Sequence, residues 1–204
     1  MLNRRTLFAA AAGSLVLPSA GQAAPRIAAP APDFTATGSD GRPVRLSALR
    51  GRPVVLEWTN DGCPFVQKWY RTGAMQALQR EAAGLGAVWL SVISSAPGEQ
   101  GAADGPRAAE LTRTRNAAPA HVLLDPRGDL GRLYGAQVTP HMFIVGGDGV
   151  LGYMGGADSI ASTRDEDLAR AKPYVREALK AMAAGRPAPD PATRAYGCTV
   201  KYAA

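Results

Sequence analysis

Two apolar runs with a helical stretch between them constrain this chain more than any other feature. Residues 53–59, P-V-V-L-E-W-T, and 87–94, A-V-W-L-S-V-I-S, are compact and rich in β-branched and aromatic side chains. Runs of that length and composition read as strands buried in the middle of a sheet. Between them Phe65, Val66, Trp69, Met75, Leu78 and Ala82 recur at roughly helical spacing over residues 64–83, and Gly84 is placed to stop the helix. A polar turn, T-N-D-G-C, joins the first strand to that helix. Cys63 therefore falls at the helix mouth, and Pro64 takes the first helical position, where no amide hydrogen bond is needed.

The rest of the chain continues the alternation. Residues 24–32 are rich in Pro and Ala and read as an extended linker. Residues 43–46 read as a short strand, with Ser47 capping a single turn that ends at Gly51. A modest helix is expected around 107–116, a third strand at 121–125 and a short helical stretch ending near Tyr134. Residues 142–145 and 150–154 flank G-G-D-G, a strong hairpin signal. A last helix spans about 166–184 and breaks at Lys172-Pro173, because a Pro inside a helix removes a hydrogen bond and clashes with the preceding turn. Residues 185–204 form a Pro-rich tail that ends in A-Y-G-C-T-V-K-Y-A-A. Strands alternating with helices, followed by a hairpin, predict an α/β sandwich: a mixed central sheet with helices on both faces, in one domain over residues 33–184.

The first 23 residues read as a secretory signal peptide: Arg4 and Arg5, an apolar stretch from Leu7 to Leu17, then small residues before a cleavage point. The paired arginines suggest the twin-arginine variant. The competing reading is an uncleaved N-terminal anchor, although the stretch falls short of the roughly 20 residues a span requires. Export implies a periplasmic protein with no stable membrane span after cleavage. The net charge of +6 falls to about +4 without Arg4 and Arg5, and the remaining arginines are scattered among apolar and acidic residues. No basic face interleaved with aromatics emerges, which argues against a nucleic-acid partner. Two cysteines in an exported chain point first to a disulfide or a redox pair.

Free amides and the dipole at a helix N-terminus stabilise an anion, so Cys63 is placed to be a reactive thiolate. A small packed residue or one half of a static disulfide is the alternative. Val138-Thr139-Pro140-His141 precedes the strand M-F-I-V, and the Thr139–Pro140 bond is a candidate for the cis form, an ordinary trans turn being the alternative. Metal binding would need more clustered ligands than Cys63, His121 and His141 provide, and residues 125–129, D-P-R-G-D, hold too few carboxylates for calcium. Gly146 to Gly149 lack the strand–loop–helix setting of a phosphate site, so no cofactor is expected.

Four stretches carry a resemblance: A-P-D-F-T-A-T-G-S-D-G-R-P-V-R-L-S-A-L-R-G-R-P-V-V-L-E-W, G-C-P-F-V-Q-K-W-Y, L-L-D-P-R-G-D-L-G-R-L-Y-G and V-T-P-H-M-F-I-V-G-G-D-G-V-L-G-Y-M-G. In this order and spacing the chain resembles the thioredoxin-fold superfamily, in its peroxiredoxin-like and thioredoxin-like redoxin branch of the alkyl hydroperoxide reductase/thiol-specific antioxidant type. The resemblance implies a thioredoxin-like three-layer sandwich, Cys63 as the nucleophile and Thr139-Pro140 as the cis-proline, with His141 beside it lining a substrate groove. It also implies that Glu57 is a buried acid assisting proton transfer; the alternative is a solvated, edge-facing Glu.

Two departures limit the carry-over. The third residue after Cys63 is Val66, so the second thiol of a C-x-x-C site is missing. The peroxide-activating P-x-x-x-T/S-x-x-C pattern meets Leu56 and Asn60 instead, with Thr59 one residue away. Cys198, in Y-G-C-T-V-K-Y, resembles a comparable segment ending similar redoxins and is the candidate resolving thiol; a permanent clamp or an unpaired thiol are the alternatives. The expected activity is thiol–disulfide exchange on a protein disulfide or dithiol, with an external thiol reductant. A thiol peroxidase acting on a peroxide, or a non-catalytic thioredoxin-fold binding protein with a structural disulfide, would carry the same two cysteines.

Overall fold

A computed structural model of the chain describes residues 24–203; the expected signal peptide, residues 1–23, lies outside the described residues. A seven-stranded mixed sheet runs through the middle, formed by β1 (Thr35–Gly38), β2 (Pro43–Arg45), β3 (Val54–Trp58), β4 (Val88–Ile93), β5 (His121–Leu124), β7 (His141–Val145) and β8 (Leu151–Gly155), in the order β2-β1-β5-β4-β3-β7-β8. β3, β4 and β5 are mutually parallel, and the other pairings are antiparallel. β3 and β4 are buried at every residue, because helices cover both faces of the centre of the sheet. β6 (Val138–Thr139) lies outside this sheet and pairs with β9 (Cys198–Thr199).

The sheet separates two apolar layers. On one face Val55, Met142, Ile144 and Tyr153 pack with side chains of α1 (Pro64–Arg71), α2 (Ala74–Gly84) and α5 (Tyr174–Ala183). On the other, Val54, Leu56, Trp58 and Phe143 pack with Leu130 and Tyr134 of α4 (Asp129–Tyr134). α3 (Gly105–Thr114) seats Ala108 against Ile93 and Val122, and Asp104 caps it by accepting the Arg107 amide at 2.9 Å. The arrangement is a thioredoxin-like three-layer α/β sandwich. No helix among the described residues is long and apolar enough to cross a membrane.

Several boundaries differ from the sequence reading for local reasons. The single helix expected over 64–83 is two, because Gly73 adopts φ +76° and restarts the chain at Ala74. Gly84 is the last residue of α2, and the left-handed turn that ends it falls at Gly86. Ser47 caps nothing: its amide is itself held by Asp33 Oδ1 at 2.9 Å, inside a 3-10 turn, Leu46–Leu49. The last helix divides where Pro173 requires, into a 3-10 turn at Asp165–Ala169 and α5. The segment expected as a linker lies along β8, where Ala28 and Ala31 donate to the carbonyls of Leu151 and Gly149, both at 2.9 Å. Farther along the same strand, Met154 donates to Pro191 of the tail at 2.9 Å and accepts from Thr193 at 3.0 Å. The edge of the sheet is thereby covered at both ends of β8.

Candidate functional site

β3 delivers the chain to the site. Thr59 to Gly62 form a tight loop in which Asn60 uses both ends of its side chain: Oδ1 accepts the Gly62 amide at 2.8 Å and Nδ2 donates to the Gln100 carbonyl at 3.0 Å. Cys63 follows as the N-cap of α1 in extended conformation, and Pro64 opens the helix. The Cys63 side chain is completely buried. Its Sγ lies 3.1 Å from the carbonyl oxygen of Thr139, the residue that enters the cis Thr139–Pro140 bond.

The tail closes the site from the other side. β9 runs antiparallel to β6, with Thr139 opposite Cys198 and Val138 opposite Thr199, and the Val200 amide donates to the Gln137 carbonyl at 2.9 Å. Both cysteines are free thiols, and Cys198, partly exposed, packs into the cluster that holds Cys63. Burial pushes the Cys63 thiol up, and the Thr139 carbonyl also favours the protonated form. Against them the Cys198 thiol, the Thr139 side chain and the Val66 and Cys198 amides favour the charged form, and they prevail, so the Cys63 pKa lies below its ordinary value. Burial, the hydrogen bond to Cys63 and the charge on Cys63 push Cys198 the other way, up to about 12, with Lys201 opposing. The two thiols are thus shifted apart, the more acidic one at the helix mouth and the one beside it holding its proton more tightly.

Glu57 lies on the same face of β3 as Val55, fully buried. Four side chains from three elements surround its carboxylate: Tyr70 Oη at 2.9 Å, Trp89 Nε1 at 2.8 Å, Ser91 Oγ at 3.0 Å and Gln79 Nε2 at 3.4 Å. Burial raises its pKa above the ordinary carboxylate value, although all four donors pull downward. The alternative of an edge-facing, solvated Glu does not hold. Its hydrogen bonds go to these four side chains and none to Cys63.

His141 follows the cis-proline, but its ring turns inward, 4.5 Å from the Phe143 ring, with Nδ1 accepting the Gln137 amide at 3.3 Å. Burial drops its pKa to about 4, so it is neutral at physiological pH. His121 begins β5 on another strand. Asp125 caps α4, accepting from the Leu130 and Gly131 amides at 3.1 and 2.9 Å. Among the described residues no three His, Cys, Asp or Glu side chains converge as a metal site would need.

Sequence reasoning missed four residues that hold the tail. Lys68 of α1 is fully buried, with Nζ 3.5 Å from Asp158 Oδ2. The Tyr196 hydroxyl donates to Asp158 Oδ1. Gly197 passes so close to β6 that a Cβ would sit 1.9 Å from the Thr139 carbonyl oxygen. The only local hint was a lysine inside an otherwise apolar helix face, P-F-V-Q-K-W-Y.

Solved structures share this fold. An uncharacterized conserved protein from Geobacillus kaustophilus is 22% identical with a TM-score of 0.73, the match covering 87% of this chain and 93% of that one. A hypothetical protein from Sinorhizobium meliloti 1021 is 20% identical with a TM-score of 0.73, covering 88% and 96%. A provisionally named protein disulfide isomerase from Bacteroides thetaiotaomicron is 18% identical with a TM-score of 0.56, covering 78% and 91%. Among curated proteins none matches this chain. Asp158, Tyr196 and Cys198 lie beyond the part that a family pattern covers. Residues 27–154, which carry Glu57, Cys63 and the cis-proline, match the AhpC/TSA family, and the chain belongs to that family.

Proposed function

We propose that the protein is an exported thiol–disulfide oxidoreductase of the redoxin type, with Cys63 as nucleophile and Cys198 as resolving thiol. One observation carries the reading: Cys198 is seated as a strand against Thr139, the residue whose carbonyl oxygen lies 3.1 Å from Cys63 Sγ, and packs into the cluster that holds Cys63. The Cys63 thiolate attacks one sulfur of a substrate disulfide, and the other sulfur leaves as a thiolate that takes a proton from solvent. Cys198 then attacks Cys63 Sγ, its proton goes to the departing substrate sulfur, and the Cys63–Cys198 disulfide closes. Two electrons have passed to the substrate, which ends as two thiols; an external dithiol reductant restores the protein and is itself oxidised to a disulfide. The same steps reversed oxidise a dithiol. Thr139 and Pro140 wall the groove, His141 supports them from inside, and Glu57 serves as a proton reservoir on the same face of the sheet. The periplasm is the compartment that the reading of residues 1–23 supports.

Complete burial of Cys63 favours a second reading, a thiol peroxidase, because a small peroxide reaches a sulfur that a protein disulfide does not. Asn60 opposes it, since both ends of its side chain are occupied where an activating hydroxyl would stand. The test is the reduction potential of the purified protein by mass-shift alkylation in graded thiol buffers, with Cys63→Ser and Cys198→Ser alongside. The expected result is one Cys63–Cys198 couple above about −300 mV, with disulfide turnover lost in either variant. A disulfide that resists reduction until the protein unfolds would make Cys198 a clamp and end the exchange reading. Oxidation of Cys63 by stoichiometric peroxide faster than by disulfides would transfer the assignment to the peroxidase.

A further inference from the structure

Tyr196, two residues before Cys198, ties the tail to the helix that begins at Cys63. Its hydroxyl donates to Asp158 Oδ1, its ring stands edge-on to Phe65 with centroids 5.7 Å apart, and Lys68 Nζ lies 5.7 Å from the ring centroid. Phe65 and Lys68 both belong to α1. Asp158 is held in turn by Lys68 at 3.5 Å and by the Ile160 amide, which donates to Oδ1 at 2.8 Å. The Lys68 and Asp158 side chains are 0% and 1% exposed. A charge pair buried so fully is seldom better for stability than apolar packing, because desolvation offsets its attraction. It does give the tyrosine hydroxyl a charged acceptor fixed to the nucleophile's own helix, and hydrogen bonds to ionised acceptors are stronger and shorter than neutral ones.

We propose that Tyr196, held by Asp158 and Lys68, is a positioning residue that sets Cys198 against Cys63, so that the tail stays seated through the resolving step. The proposal rests on the resolving role of Cys198 argued above. Only Gly197 separates Tyr196 from Cys198, so a shift of the tyrosine passes to the sulfur along two Cα–Cα steps of 3.8 Å. Misplacing a reacting group by about 1 Å can cost 10²-fold in rate.

Tyr196→Phe keeps the ring and deletes the hydroxyl; Tyr196→Ala removes both. The double variant Lys68→Met with Asp158→Leu deletes the acceptor without leaving a charge buried alone. Each is compared with the full chain in glutathione buffers for the equilibrium constant of the Cys63–Cys198 disulfide, and in thermal unfolding. In a Cys198→Ser background, the rate at which iodoacetamide alkylates Cys63 reports the seating of the tail without any disulfide. The expected result is a several-fold lower equilibrium constant for Tyr196→Phe and the double variant, and at least a tenfold drop for Tyr196→Ala. Tyr196→Ala should also raise the Cys63 alkylation rate at least tenfold. A merely structural role would lower the unfolding midpoint and leave both readouts unchanged, and values within twofold of the parent in Tyr196→Ala overturn the proposal. Failure of the unaltered chain to form the disulfide at any glutathione ratio overturns the resolving role and this assignment with it. That result is read from the parent alone, separately from the variants.

Discussion

Gly197→Ala is the smallest change that should unseat the tail. Gly197 has φ +151°, and an added Cβ would fall 1.9 Å from the Thr139 carbonyl oxygen, 2.6 Å from its carbon and 3.2 Å from Pro140 N. All three are backbone atoms of the segment that touches Cys63, so no flexible side chain can give way. The φ value adds strain of its own, of order 1–3 kcal/mol for a residue with a side chain. β9 must then lift from β6, losing the register between Thr139 and Cys198 and the 2.9 Å bond from the Val200 amide to Gln137. With two or three hydrogen bonds lost at about 1 kcal/mol net each, closing the disulfide must itself order the tail, at a cost of about 2–3 kcal/mol. That is a fall of about 30- to 150-fold in the equilibrium constant for the Cys63–Cys198 disulfide, or about 40–65 mV. Glutathione titration read by mass-shift alkylation measures it directly. A constant within twofold of the parent, in a variant that folds, would refute the idea that the disulfide depends on the close approach of β9 to β6.

Two pH predictions of opposite sign follow from the buried acid and the buried imidazole. Burial raises the Glu57 pKa above 4.5. The folded protein therefore holds this proton where the unfolded chain has released it, and stability falls as pH rises through the folded value. Glu57→Gln removes the dependence, so the variant should gain on the parent with rising pH, by up to about 1.4 kcal/mol per unit within the window; parallel Tm curves from pH 4 to 8 would refute it. His141 is depressed from 6.5 to about 4, so its contribution is complete above 6.5 and is lost as pH falls toward 4, about 3 kcal/mol in all. His141→Asn, which can still accept the Gln137 amide, should flatten the acid limb of the stability curve in urea titrations; an unchanged limb would place the acid sensitivity elsewhere.

The parts of the fold legible in the sequence are those specified locally. Residues 54–58 and 88–93 are covered on both faces, and that leaves apolar runs broken only by Glu57 and Ser91, which are legible in the sequence. The hairpin around residues 146–149 and the break before α5 are written in Gly and Pro, which act on their own neighbours. The division between α1 and α2 lay in the phase of the pattern: at about 100° per residue Met75, Leu78 and Ala82 fall on the side opposite Val66 and Trp69, and the break at Gly73 is what lets both sets feed one apolar layer. The site was legible on one side only. Cys63 and Pro64 announce themselves by their place at a helix mouth, whereas β9 is two residues long and finds its partner 59 positions away. Nothing near Lys68 in the sequence explains its burial, since Asp158, which accounts for it, lies 90 residues along the chain.

The proposed role of the tail bears on how far the chemistry of the family transfers to this chain. The loop before Cys63 is spent on holding itself together: Asn60 closes it through Gly62 and Gln100, and a Cβ at Gly101 would collide with the Asn60 amide group at 2.3 Å. A side chain packed from both directions cannot turn to hold an oxidant at the sulfur. Packed with Cys63 instead is Cys198, on a strand paired to the same Thr139 whose carbonyl Cys63 touches. This arrangement is what the proposed exchange between sulfurs rests on, in preference to peroxide reduction. Under the proposed exchange the fully buried cysteine and the partly exposed one would divide the work by access as well as by pKa, since a reductant too large to reach Cys63 can still meet Cys198.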